Sequence, residues 1–166
     1  MILDHYSHSS YQLFKKCPKL FELAKLGKVK PKTTRTMSFG KFYHKQVENY
    51  HKGKSYNKTT IAKYVQKIPR NLFEPDKVEV KFREYIYSLK TGKKINIPFV
   101  GFIDGIAKKG LYDLKTRTYL PNQEEIDKNE QATLYLYVYY LQTKKLFPFF
   151  FNVFLKREKI IKTFKT

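Results

Sequence analysis

Apolar residues recur at helical spacing through the first part of the chain. Over 9–26, Leu13, Phe14, Cys17, Leu20, Phe21 and Ala24 fall on one side of a helix, with Ser9 or Ser10 as its N-cap. Pro18 lacks an N–H and crowds the preceding turn, so a kink or break is expected there. A second helix is expected over 38–51, with Phe39, Phe42, Tyr43, Val47 and Tyr50 on one side, and a weaker third over 59–67. The period then changes. Val78, Val80 and Phe82 alternate with Glu79, Lys81 and Arg83, the mark of a strand with one wet face, here running over 78–89. Two more strands are expected over 98–106 and 111–116, then a long helix over 123–144 carrying Leu134, Tyr137, Val138 and Leu141. Strands over 149–155 and 159–164, turning at Arg157 and Glu158, close the pattern.

Helices, three strands, a helix and two strands suggest a mixed sheet of about five strands flanked by helices, in the α/β or α+β class. The 166 residues suit a single domain, with no repeats and no linker longer than the basic loop over 27–35.

The turn at Lys108 and Lys109 is the most informative piece. If those two residues form the loop, Ala107 pairs with Gly110 and Asp104 falls opposite Asp113. Two-residue periodicity then sets Lys115 on the face of Asp113. Carboxylates placed across a strand pair repel, so something positive between them is expected. Oxygen ligands at this spacing suit Mg²⁺ or Mn²⁺, and a neighbouring lysine can orient an attacking water. Glu79 belongs with Lys81 and Arg83 on the wet side of its strand. His44 lies one helical turn from Gly40, and Gln131 and Tyr135 are four apart on one helix face. Singly, each has a plain reading. Asp104 could be a strand-end acid, Asp113 a surface partner of Lys115 or Lys109, Glu79 a salt-bridged strand residue, and His44 a half-buried helix histidine. Tyr135 and its neighbours could serve packing alone. Their co-occurrence in one order is what favours a site.

Charge changes the picture next. The chain has 34 Lys and Arg against 14 Asp and Glu, a formal charge of +20, and a pI near 9.9. A polyanion partner, DNA or RNA, follows naturally, and Lys81, Arg83 and Arg117 are cations suited to phosphate contact. Against this, Arg35, Arg70, Arg83, Arg117 and Arg157 are the only arginines, and the chain is also rich in Ile, Asn, Tyr and Phe. That composition follows AT-rich codons, which can supply lysine without any polyanion partner. No apolar run is long enough to span a membrane, and no secretory leader is visible over 1–8. A soluble, cytoplasmic protein of a prokaryotic cell, or of the host cytoplasm if viral, is expected. Cys17 is the one cysteine, read as a buried, inert thiol, so neither a disulfide framework nor a Cys-ligated cluster is expected.

Five segments resemble the RecB-type branch of the PD-(D/E)XK nucleases, in that family's order. They are 9–21 (SSYQLFKKCPKLF), 40–44 (GKFYH), 101–104 (GFID), 113–116 (DLKT) and 131–135 (QATLY). The resemblance implies a restriction-endonuclease-like core and a deoxyribonuclease dependent on Mg²⁺ or Mn²⁺, an exonuclease in repair, recombination or viral or CRISPR-related processing. It implies that Asp104, Asp113, the Leu114 carbonyl and His44 bind the metal and that Lys115 acts on the water. Glu79 would be a supporting acid, while Gln131 and Tyr135 would support the site and touch the DNA backbone. Relatives often carry an iron–sulfur cluster whose first ligand matches Cys17, but no second cysteine is present and no cluster is expected. Relatives also often continue with another helix, where this sequence stops, as expected of a minimal member or of a piece truncated at its C-terminus. No P-loop pattern is present, so a helicase or recombination partner would be a separate chain. The alternative class is a non-catalytic DNA-binding or recruitment subunit that keeps the fold.

Overall fold

The computed structural model describes residues 3–30, 33–67, 75–88, 90–156 and 160–166, with the backbone alone for 63–67 and 160. The expected turn at Arg157 and Glu158 lies outside the described residues. The chain packs into two compact units, Met1–Thr33 with Lys81–Phe102, and Thr34–Val80 with Ile103–Thr166.

In the first unit the helix expected over 9–26 is broken at Pro18, the second of the two outcomes expected there, into α1 (His8–Lys16) and α2 (Pro18–Lys25). The cause is local. A residue before proline is pushed out of the helical region, and Cys17 stands at φ −159°, ψ 100°. Cys17 ends α1 and also caps α2, its Sγ accepting from the Leu20 N–H at 3.4 Å, so the half-buried thiol has a capping role that the inert reading missed. The N-cap of α1 is Ser7 rather than Ser9 or Ser10, in a reciprocal pair with Ser10. Tyr6 bridges in parallel to Phe99, and Arg83 Nη2 donates to Asp4 Oδ1 at 3.0 Å.

The second unit opens with α3 (Arg35–His51), which starts earlier than expected because Thr34 accepts from the Met37 N–H. Then comes α4 (Lys58–Lys67). The sheet strands are β1 (Pro75–Glu84), β2 (Phe99–Ala107), β3 (Gly110–Arg117), β4 (Phe149–Leu155) and β5 (Ile160–Lys165), in spatial order β1-β2-β3-β4-β5. The sheet is mixed, since β3 runs parallel to β4 while the β2/β3 and β4/β5 pairs are antiparallel. A parallel neighbour needs a crossover, supplied by α5 (Gln123–Asp127) and α6 (Glu130–Thr143). The fold is thus α+β, a five-stranded mixed sheet flanked by helices.

Two boundaries differ from expectation. The first strand ends at Glu84, with Tyr87 making only a lone bridge to Lys94. The long helix over 123–144 is two helices, because Asn129 accepts the N–H groups of Gln131 and Ala132 and starts α6 afresh.

Alternation along β3 decides what lies on each face. Tyr112 and Leu114 point into a core with Tyr43 and Val47 of α3, Ile61 of α4, Phe154 and Ile161. Phe42, expected on the inner side of α3, is 44% exposed. The intervening positions, Asp113 and Lys115, turn to the side of α6. No helix among the described residues is long and apolar enough to cross a membrane.

Candidate metal centre

The β2–β3 turn forms as its sequence suggests, with Ala107 paired to Gly110, Ile106 to Leu111 and Gly105 to Tyr112. Gly105 permits that tight meeting, since a Cβ there would run into the Tyr112 ring, while Gly110 lets β3 approach β4, where a Cβ would meet the Pro148 carbonyl and the Phe150 ring. One register step beyond the last pair, Asp104 faces Asp113. There the side chain takes over from the ladder: Asp104 Oδ2 accepts the Leu114 N–H at 2.6 Å.

That bond fixes one carboxylate oxygen and leaves the other for α3. Asp104 Oδ1 lies 3.4 Å from His44 Nδ1. Glu79 joins them: one donor atom from each of His44, Glu79 and Asp104 lies within 4.8 Å of the other two. Glu79 does not arrive by simple alternation. Its φ of +51° is left-handed, a conformation costing a non-glycine residue about 1–3 kcal/mol, and its carboxyl is half-buried.

Across the strand, Asp113, Lys115 and Gln131 form a second cluster. Lys115 Nζ lies 2.8 Å from Asp113 Oδ2 and donates to Gln131 Oε1 at 2.7 Å. Gln131 Nε2 donates to Asp113 Oδ1 at 3.0 Å. The amide thus holds the ends of the pair together. Asp113 Oδ2 is buried and makes no aligned hydrogen bond, so its contact with Lys115 is ionic and leaves an acceptor direction open.

The protonation equilibria share one cause. Burial, and then the nearby Asp104 charge, push the Asp113 carboxyl up to about 6 against the pull of Lys115. Burial and Asp104 also raise Glu79. For His44, burial works against the imidazolium, but the hydrogen bond and charge of Asp104 outweigh it and the net shift is upward. Carboxyls whose anionic form is disfavoured by burial and by one another are what a bound cation would relieve. The donor set, one imidazole and two carboxylates with an open acceptor on Asp113, fits a divalent metal.

The other expected residues fall as follows. Tyr135 is 6% exposed with its ring edge-on to Phe149, so it packs rather than presents a stacking face. Arg117 Nη1 donates to Glu125 Oε1 at 3.0 Å and to the Tyr119 hydroxyl at 3.3 Å. Lys81 and Arg83 are exposed and belong to the first unit, where Arg83 binds Asp4. Gly40 allows a close approach by Thr116, whose Oγ1 would sit 3.2 Å from an added Cβ, so α3 packs tightly on β3. Asn129 was missed. Its Asn-x-Gln spacing was the available signal, since capping by Asn129 sets the turn that presents Gln131.

The molecule is therefore an α+β protein whose sheet and helices bring together a His–Glu–Asp group, able to hold a divalent metal, and an Asp–Lys–Gln cluster in which Asp113 is buried. No protein-family model matches the chain, and no curated protein matches it. Solved structures do. The crystal structure of a candidate exonuclease from Eubacterium rectale superposes with a TM-score of 0.70 at 12% identity, covering 98% of this chain and 73% of its own. The structure of the protein SSO0001 superposes with a TM-score of 0.56 at 12% identity, covering 99% of this chain and 68% of its own. At such identities the likeness is one of fold.

Proposed function

We propose that this chain is a metal-dependent deoxyribonuclease of the PD-(D/E)XK type that hydrolyses phosphodiester bonds. One observation carries it: Asp104 is tied to β3 by the N–H of Leu114, the residue between Asp113 and Lys115, which are themselves in ionic contact. A surface acid or a packing residue has no need of that arrangement. Likeness of fold to a candidate exonuclease supports the same class, and favours attack from a strand end.

Asp104, Glu79 and His44 would hold Mg²⁺ or Mn²⁺, with Asp113 and the Leu114 carbonyl completing the set. When bound, the metal would supply a Lewis acid that offsets the charge developing on the phosphate. The chain's own residues do the rest. Asp113 must give up its proton to serve as a ligand, and with its pKa raised to about 6 that loss is shifted from the usual carboxylate range to near neutral pH. Lys115, steered by Gln131, presents an ammonium that donates to the attacking water or to a phosphate oxygen. Water adds to phosphorus, one ester P–O bond breaks, and the departing oxygen takes up a proton.

The test is cleavage of end-labelled linear and circular DNA, single- and double-stranded, with Mg²⁺, with Mn²⁺ and with EDTA. Metal-dependent cutting of linear DNA that disappears in Asp113→Ala is expected. Binding without cutting in either metal would reject the enzyme in favour of a recruitment subunit.

A further inference from the structure

Past Lys115, β3 runs into an open cleft of about 300 Å³ lined by Thr36, Thr116, Arg117, Thr118, Tyr119 and Lys156. The cleft's chemistry is specific. Two cations and four hydroxyls converge with no carboxylate among the lining residues. Among the described residues none of the three threonine hydroxyls has a hydrogen-bond partner, and the Lys156 ammonium has only the Phe39 ring, at 5.4 Å from its centroid. Arg117 is held in place rather than used up. Its Nη1 goes to Glu125 and Tyr119, leaving Nε and Nη2 without partners among the described residues. Tyr119 has its ring 59% exposed at the mouth, with the Arg117 guanidinium 5.6 Å from its centroid.

Unused donors around two cations, one of them held in place, make an anion site, and an exposed aromatic ring adds a stacking face. The frame is rigid. Thr116 and Arg117 pair in register with Phe154 and Leu155 of β4, and the Lys156 N–H donates to the Arg117 carbonyl at 2.9 Å. Lys115 and Arg117 are one side-chain repeat apart on one strand, roughly 7 Å, so a phosphate held by Arg117 sits one step along from chemistry at Lys115. We infer that this cleft holds a phosphate of the substrate strand, next to the one that is cut, with its base against Tyr119. This rests on the nuclease reading of the Asp113–Lys115 cluster.

The experiment separates the two. In an Asp113→Ala background, which needs no cleavage, binding of a fluorescein-labelled single-stranded oligothymidylate is measured over a range of NaCl. Lys156→Ala is expected to weaken binding about tenfold at low salt and to lower the slope of log affinity against log salt by about 1. Lys156→Arg should restore both. Thr118→Val should weaken binding with no change of slope, and Lys128→Ala, an exposed lysine paired to Glu124, should change neither. In the active protein Lys156→Ala should raise KM more than it lowers kcat. If the wild type cuts DNA but Lys156→Ala keeps both slope and KM, the cleft is not a strand subsite. If inorganic phosphate binds wild type and not Lys156→Ala while oligonucleotide binding is unchanged, the cleft serves free phosphate and the inference is overturned. If the wild type never cuts but Lys156→Ala loses the slope, the cleft binds nucleic acid and only the nuclease reading falls.

Discussion

Leu114 donates its backbone N–H to Asp104 Oδ2 at 2.6 Å, a bond that ends the β2–β3 ladder and begins the site. An acid placed there serves two purposes. One oxygen satisfies a strand amide that has lost its ladder partner, and the other faces His44. Structure and chemistry can therefore be separated by substitution.

Asp104→Asn keeps an acceptor for the Leu114 N–H but loses the anionic ligand. Cleavage should fall on the order of 10³-fold or more, while stability changes by less than about 1 kcal/mol. Asp104→Leu should be equally inactive and less stable by a further ~1–3 kcal/mol, because the amide is left unpaired. Thermal unfolding alongside cleavage assays checks the split. Equal stabilities would mean the hydrogen bond is not what holds Asp104.

The pH dependence of stability without metal carries the sign of Asp113. Its folded pKa, about 6, lies above the ordinary value of 3.8. Between those values the folded state holds more protons than the unfolded state, so this contribution is complete below pH 4 and is lost as pH rises through 6. Glu79 and His44 are shifted the same way and act in the same direction. In EDTA, wild type should therefore lose stability relative to Asp113→Asn across that window. Mn²⁺ should reverse the trend, since its ligands must be deprotonated. Melting curves from pH 4 to pH 8 decide it, and parallel curves for the two proteins would remove the shift.

His44 is the one nitrogen donor of the group. Its loss should cost about tenfold or more in Mn²⁺ affinity, and less for Mg²⁺, which prefers oxygen ligands. Calorimetric titration of His44→Ala with each metal measures this. An unchanged Mn²⁺ to Mg²⁺ ratio would take His44 out of the set.

Why so much of this was legible, and why some was not, comes down to distance along the chain. The facing of Asp104 and Asp113, and the common side of Asp113 and Lys115, follow from a two-residue turn and a period of two. Both are local rules, and the register obeys the first as far as the pair of Gly105 with Tyr112. Glu79 was placed on the wet side of β1 by the same period, but its left-handed backbone breaks the alternation that was used. The break at Cys17 was legible from Pro18, whereas the one at Asn129 was hidden because apolar spacing continues through it while a capping amide overrides it. The cleft of Thr36, Thr116 and Lys156 joins three segments far apart in sequence, and no local pattern links them.

Gly105 tests the packing under the site. Its partner Tyr112 is buried and lays its ring where a Cβ would stand. Gly105→Ala should destabilise by about 1–3 kcal/mol, lowering Tm by roughly 2–4 °C per kcal/mol. Restoration by a second change, Tyr112→Leu, would confirm that the ring is the obstacle.

Gln131 gives the sharpest discrimination between positioning and chemistry. Its amide accepts from Lys115 and donates to Asp113, so one side chain sets both. Gln131→Ala releases Lys115 and should lower kcat by about 10- to 100-fold with little change in KM. Gln131→Glu keeps the acceptor for Lys115 but sets a carboxylate against Asp113. Like charge raises a carboxyl pKa, so the acid limb of the pH–rate profile should move to higher pH, and raising the pH should recover part of the lost rate. A residue that merely filled space would move neither limb. If Gln131→Glu loses activity equally at every pH, Gln131 does not govern the protonation of Asp113, and the cluster's acid must be read without it.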